Sequence, residues 1–560
     1  MKLRKPLVVV VAVLAVISIN SVLTSQDKGG GGKPGSSTTL VIGADQEPDC
    51  LDWISSCSGS SWGAWAALSQ TLPQAYYTAP SAGPESAYVY QPSPLLAGEA
   101  TIAQGAQQVI TYRLNPDAVW SDGVPITGAD FKYTFDQIVN GTDIYDTTGY
   151  NKIESLEVPD PLTVVVTYKE TFAGWKGMFG GGYGVLPAHL LEGKARDAIM
   201  KDGYSFSGGA WQLDGGKDGW KRGVSITLVP NPRYWGQKPT IKKVVFQFIT
   251  NTSTLFRAFK DGEVDFIYPQ PQPDWFPIIK SGLDGATIKS TSNTGSVEAL
   301  WLNNSKPPFD NVSVRQAIAY SLDRDSIVKR LFGPLGVTKA WQSFNTPIGS
   351  AYADPAGFNG YTKDLGRVKS LMKIALHAKD ADGYWAKDGV RASFTLKTTV
   401  GNKRRELTAQ ILQAAFKDAG FEMKIKLQDA GELFGKDGPS GNFEMALWAA
   451  VATGPEPGNC VLFCSTNIPS EANDNSGQNW THTKVPRLDP LLEQIDIELN
   501  NDKRIALSKS ADLLIGESVT SLPIDPLPNT LIFKNFIGGP VADNATMGPF
   551  WNMNLWMLKG

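Results

Sequence analysis

Apolar and polar positions along this chain fall into short runs whose period changes from two to between three and four, and the changes mark out its elements. Residues 109–114 (VITYRL) read as a strand, and the Asp122-Gly123 dipeptide that follows suits a tight turn. Thr127 then stands as a helix N-cap with Asp130 three positions on. Phe131, Phe135 and Ile138 recur at spacings of four and three, the apolar stripe of a helix. Leu156, Val158 and the run 162–166 flank Pro159-Asp160-Pro161 and predict two strands around a proline turn. This first region is mixed α+β.

Further along, residues 224–229 predict a strand, Asn231-Pro232 a break, and 244–249 a buried strand rich in β-branched and aromatic residues. A helix over 254–259, ended by Gly262, leads into a short strand at Val264, Asp265 and Phe266. Strand, helix and strand with short joints make the order of a βαβ unit with parallel pairing. Val314, Ala317, Ile318 and Leu322 define one helical face. Leu407, Ile411, Leu412, Ala415 and Phe416 define another, ended by Gly420 and flanked by strands predicted at 394–398 and 423–427. The later region is therefore α/β as well.

Length changes this picture, because 560 residues exceed the roughly 250–300 that one hydrophobic core supports. At least two lobes are expected. Charge changes it little: 52 Lys+Arg against 55 Asp+Glu leave a formal −3, so no overall field favours nucleic acid. The N-terminus says more. Lys2, Arg4 and Lys5 precede an apolar run over 7–17, shorter than the ~20 residues of a spanning helix, which predicts a secretory signal over 1–25. Leu23-Thr24-Ser25 opens like a bacterial lipobox, but Gln26 stands where the lipid-bearing Cys belongs. Other cleavage, or retention as a membrane anchor, stays open. Residues 26–37, with GGGGKPGSS, form a flexible tether. Cys50 with Cys57 and Cys460 with Cys464 make two close pairs, which in an exported chain read as short-loop disulfides; zinc is the weaker alternative, with no His nearby.

Chemistry of the catalytic kind has little to build on. No GxSxG nucleophile elbow, Walker loop or HExxH helix is expected, and His189, His377 and His482 lie far apart. Asp122 and Asp130 are accounted for by turn and cap, and His189 by a helix start. No catalytic residue, metal ligand or cofactor is expected.

Six segments then stand in a telling order: Glu47-Pro48 with Leu51-Asp52, YRLNPDAVWSDGVPITGADFKYTFD (112–136), VLPAHLL (185–191), LVPNPRYWGQKPTIKKVVF (228–246), FKDGEVDF (259–266) and PFDNVSVRQAIAYSLDRDSIV (308–328). Together they resemble the family 5 extracellular solute-binding proteins, the oligopeptide and dipeptide binders of bacterial ABC importers. The resemblance implies an α/β, bilobal periplasmic-binding-protein fold, type II-like, with an extra subdomain in lobe I and a two-strand hinge near 297–302 and 521–526. Lobe I would comprise 38–84, 205–298 and 524–560, its extra subdomain 85–204, and lobe II 299–523. Arg315 is expected to pair with a carboxylate beneath its helix.

The same resemblance implies capture of an oligopeptide in the cleft and its delivery to a membrane permease by an exported monomer, at the outer face of the cytoplasmic membrane, in the periplasm or in the cell-wall space. Its only tie to the membrane would be the N-terminal segment. Alternatives within the fold are an oligosaccharide, a metal or haem complex, or a cell-envelope scaffold that has lost transport. Peptide binders of the family hold the ligand amine with an aspartate a few residues after a Trp. In FEMALWAAVATGPEP (443–457) Trp448 fits, but Val451 stands where that acid would fall. Glu456 and Glu298 are the candidate replacements. Trp53, Trp62, Trp301, and Asn479 with Trp480 in GQNWTHT, are the other residues expected to face ligand, since amphipathic rings suit varied side chains.

Overall fold

Thr39–Ala44 (TLVIGA) carries Leu40, Ile42 and Ala44 fully buried and takes the middle of a large sheet. Lys243–Phe248 pairs with it in parallel on one side and Phe266–Ile267 in parallel on the other. The predicted strand–helix–strand unit is thus present, but the first strand of the described chain is inserted between its two strands. Its helix runs Thr252–Asp261, from an Asn251 side chain that accepts the Thr254 N–H to Gly262 at φ 80°, a left-handed stop that glycine adopts without strain. Among the described residues this sheet has eight strands. Ala286–Thr291, Asn529–Lys534, Phe266–Ile267, Thr39–Ala44, Lys243–Phe248, Ser225–Pro230 and Trp211–Leu213 follow one another, with Trp220–Lys221 beside Ser225–Pro230.

The structure, a computed structural model, describes residues 38–80, 88–105, 107–180, 184–268, 271–452, 454 and 456–559. The expected signal and tether lie outside them. No helix among the described residues is long and apolar enough to cross a membrane.

The extra subdomain holds a four-stranded antiparallel sheet in the order Thr101–Gln104, Gln108–Arg113, Thr163–Tyr168 and Ile153–Asp160. The capping box read from the sequence closes the helix Gly128–Asn140: Ala129 N–H donates to Thr127 Oγ1 (3.3 Å) and Thr127 N–H to Asp130 Oδ2 (2.8 Å). Asp122, in the predicted turn, also meets His189 Nε2 at 2.8 Å, so both residues of that pair have structural partners.

In the second lobe Glu422–Gln428, Ser393–Thr399, Met445–Val451, Ser296–Leu302 and Ser521–Pro526 form a five-stranded sheet in that order. The first two pair in parallel, joined by the helix Lys403–Ala419, as their hydrophobic pattern predicts. Two readings need correction. The helix Val312–Tyr320 stops before Leu322, which is still fully buried. Arg315 has no carboxylate partner within 4.0 Å among the described residues; it donates to the carbonyls of Phe309 (2.7 Å), Ser518 (3.1 Å) and Val519 (3.1 Å), tying two helix ends together.

The chain leaves the first sheet after Thr291, enters the second at Ser296, and returns between Pro526 and Asn529. The two crossings run side by side. Thr291 faces Asn529, Leu527 N–H donates to Ser296 O (3.1 Å), and Thr294 Oγ1 donates to Leu527 O (2.8 Å). Each lobe has its own large apolar core, one around Trp211, Phe246 and Phe550, the other around Leu300, Phe394 and Met445. Two cores joined by these two crossings make a bilobal molecule with a hinge at 292–295 and 527–528; the strands expected to form it, at 297–302 and 521–526, belong instead to the second lobe's sheet. Both cysteine pairs are disulfides, Cys50–Cys57 with S–S 2.05 Å and Cys460–Cys464 with S–S 2.07 Å.

Candidate functional site

Between the lobes lies a cavity of about 490 Å³, within the ~300–1,000 Å³ of small-ligand sites. The first lobe and its subdomain contribute Asp45, Trp53, Trp62, Trp65, Tyr90, Tyr145, Asp146 and Tyr268. The second contributes Trp301, Phe344, Trp448, Glu456, Trp480 and Arg504. Its rim is fastened from both sides. Tyr145 Oη donates to Gln478 Oε1 (3.2 Å), Gln478 Nε2 donates to Asp146 Oδ2 (2.7 Å), and Gly477 N–H donates to Tyr145 O (2.9 Å).

Strand geometry sets the ring wall on the second lobe. Ser296–Leu302 and Met445–Val451 are antiparallel neighbours with Ala299 opposite Trp448. The Trp301 and Trp448 rings stack at 5.7 Å and 18°, and Trp480 meets Trp448 edge-on at 5.8 Å. Opposite them, Trp62 and Trp65 sit on the helical stretch that begins at Ser61. Trp62 Nε1 donates to Asp45 Oδ1 (2.7 Å), and Trp65 packs edge-on against Tyr268 at 5.5 Å. Trp53 is pinned by its Nε1 donating to Gly184 O (3.1 Å).

Six of the eight residues expected to face ligand line this cavity: Trp53, Trp62, Trp301, Trp448, Glu456 and Trp480. Glu298 and Asn479 do not. Glu298 is fully buried, with Arg405 Nε 2.7 Å and Arg404 Nη2 3.3 Å from its carboxylate oxygens. Burial would raise this carboxyl, but the two guanidiniums hold it below its usual range. An acid already gripped by two buried cations has nothing left for a ligand amine. Asn479 is equally spent: its Nδ2 donates to Cys464 O and Thr483 O, both at 3.0 Å, while its Oδ1 accepts from Thr481 Oγ1 (3.0 Å) and Thr483 N–H (2.9 Å). It stiffens the loop that presents Trp480.

Sequence reasoning missed Asp45, Tyr90, Tyr145, Asp146, Tyr268 and Arg504, which come from five separate segments with no shared motif. Burial pushes Asp45 up to about 6, against the Trp62 hydrogen bond, and raises Asp146 and Glu456 as well, the last against the Arg504 charge. It also missed that Gly59-Ser60-Ser61-Trp62-Gly63 has the spacing of a nucleophile elbow. That string is not placed as one. Ser61 opens a helix after a loop instead of a strand, and none of His189, His377 and His482 lines the cavity to serve as base.

A hinged pair of α/β lobes around an aromatic cavity has clear counterparts. The chain is 24% identical over 502 residues to the oligopeptide-binding protein OppA of Mycobacterium tuberculosis, covering 84% of this chain and 77% of that one. The solved structure of AppA from Bacillus subtilis, an oligopeptide-binding protein in complex with a nonapeptide, has the same fold: TM-score 0.82, 19% identity, 94% of this chain and 100% of that one. The periplasmic EDTA-binding protein EppA shares it too, with TM-score 0.79, 23% identity, and 94% and 98% coverage. The sequence profile described as bacterial extracellular solute-binding proteins, family 5 (middle), matches residues 91–468, most of the chain. Fold, cavity and profile agree, and the chain belongs to the family 5 bacterial extracellular solute-binding proteins.

Proposed function

We propose that this protein captures a short peptide in the cavity between its lobes and delivers it, unaltered, to the permease of an ABC importer. The observation that carries the reading is the cavity itself, about 490 Å³, walled by rings from both lobes and fastened through Tyr145, Gln478 and Asp146. A ligand touching both walls stabilises the closed form in proportion to contacts that exist only there. Peptide side chains of varied shape suit a lining of Trp and Tyr, which offers wide apolar faces and a few polar edges. The M. tuberculosis relative and the B. subtilis neighbour are peptide binders by name, which supports the same ligand class here.

In this reading the lobes divide at the two crossings, a few residues from the boundaries drawn from the sequence at 298 and 523, and the chain works as an exported monomer outside the cytoplasmic membrane, held there by its N-terminal segment. Binding is its whole task, with no reaction catalysed. Glu456 serves as the amine anchor in place of the acid missing at Val451.

Identification of what the purified protein carries tests the reading: denature it, release the small molecules and identify them by mass spectrometry, then titrate candidates while following Trp fluorescence. Peptides of a few residues are expected. Saccharides or metal complexes alone would overturn the peptide class. A second reading, a compact non-peptide solute, is favoured by Val451 at the position of the usual amine-binding acid and by the EDTA-binding neighbour.

A further inference from the structure

Glu456 and Arg504 bring opposite charges into the same cavity, and both stand without an ionic partner. The Glu456 carboxylate makes no hydrogen bond or ion pair among the described residues. Arg504 stands in the first turn of the helix Asn501–Ser518, and its Nη2 donates to Tyr352 Oη (3.2 Å) and Asn501 Oδ1 (3.3 Å). Its Nε is buried with no acceptor, and no carboxylate oxygen lies within 4.0 Å of the guanidinium among the described residues. The two groups nonetheless line the same cavity. Arg504 is the foremost charge acting on Glu456, and both act on the Tyr90 hydroxyl.

An unpaired carboxylate and an unpaired guanidinium withdrawn from water each cost free energy until a partner arrives. Were they in contact, they would satisfy each other and face a neutral ligand. Held apart, they leave a gap matched to a molecule that carries both complementary charges. Asp496, the third ionisable group at this end, is pushed up to about 6 by burial, with Lys152 the foremost charge opposing the rise. Arg504 opposes that rise as well, though no Asp496 oxygen comes within 4.0 Å of its guanidinium.

We propose that Glu456 and Arg504 form a zwitterion subsite, which takes a ligand whose ammonium meets Glu456 and whose carboxylate, a few bonds away, meets Arg504. The inference rests on the capture function proposed above and names the charge pattern of what is captured. Two sources present that pattern: the acidic first residue of a peptide, and a free α-amino acid.

Calorimetric titration of the full chain with Glu-Ala-Ala-Ala, Gln-Ala-Ala-Ala, N-acetyl-Glu-Ala-Ala-Ala and free L-glutamate separates them. The acidic peptide is expected to bind about tenfold more tightly than its Gln counterpart, and acetylation to cost about tenfold, the scale of one charge-assisted contact. In Arg504→Gln the Glu-to-Gln ratio falls to near one, while Arg504→Lys keeps part of it. In Glu456→Gln the free-to-acetylated ratio falls to near one. Glutamate binding with the same Arg504 dependence, and no peptide binding, would uphold the subsite and overturn the peptide reading. Peptide binding with both ratios near one in the unaltered protein would overturn the subsite and leave the peptide reading standing. Arg504→Gln weakening every probe alike, or no probe binding at all, also sinks the subsite.

Discussion

Trp301 and Trp448, on neighbouring antiparallel strands, stack at 5.7 Å, and the Trp301 indole N–H donates to the Trp448 carbonyl at 3.0 Å. One ring therefore braces the other. Trp448 also touches Phe434, Phe443 and Trp480, so it belongs to the core of its lobe as much as to the cavity. Trp448→Ala is expected to cost about 3–5 kcal/mol of stability and to weaken ligand binding at least tenfold. Trp448→Phe keeps most of the packing and isolates the cavity effect. Denaturant melts and fluorescence titrations of both variants check this; unchanged affinity in Trp448→Phe and Trp448→Ala alike removes the ring from the site.

Asp49 and Asp429 predict a pH dependence. Both line a second interlobe crevice of about 210 Å³, together with Asp45, Glu47 and Arg222. The Asp49 carboxylate rests on the opposite lobe, where a methyl group added at Gly431 would lie 2.2 Å from its Oδ1, and its Oδ2 is buried with no donor. Burial, then the Asp429 charge, push it up from 3.8 to about 7, with Arg222 opposing and Glu47 adding to the rise. A raised carboxyl binds its proton more tightly in the closed form than in water. Its contribution to closure is therefore present in full below about 4 and is lost as pH rises through about 7. Ligand affinity of the unaltered protein, relative to Asp49→Asn, is expected to rise as pH falls from 8 to about 5. Parallel pH curves for the two proteins would refute it.

Glu298 is expected to behave as a structural acid. Glu298→Gln leaves Arg404 and Arg405 buried with half a partner, and a cost of about 3–5 kcal/mol follows. Urea denaturation measures it. Free and N-acetylated peptides should lose affinity equally; selective loss for the free amine would restore Glu298 as the anchor.

The two disulfides close loops with sequence separations of 7 and 4, short enough that each contributes about 2 kcal/mol through the unfolded chain. Cys50–Cys57 also holds the loop that leads to Trp62 and Trp65. Its double Ser variant should melt several degrees lower and bind ligand more weakly. The Cys460–Cys464 variant should lose comparable stability, and an equal loss of affinity in both would argue against a cavity role for the first loop.

Local pattern alone determined much of this protein. The Thr127 cap, the stop at Gly262, the parallel strand pair around residues 403–419 and both cysteine pairs depend on neighbours within some thirty residues, so short-range periodicity and turn chemistry suffice to read them. The six ordered segments carried the family. What the tertiary structure decided is which side chains share a space. Thr39–Ala44 slips between two strands more than two hundred residues later, because only there are both its edges paired in parallel. Glu298 looked free on paper and is consumed by Arg404 and Arg405; Arg504 drew no notice in the sequence and stands in the cavity without an ionic partner among the described residues. Charges find their partners by distance in space, and that distance is set by how strands and helices far apart in sequence pack within a lobe, which no local pattern records.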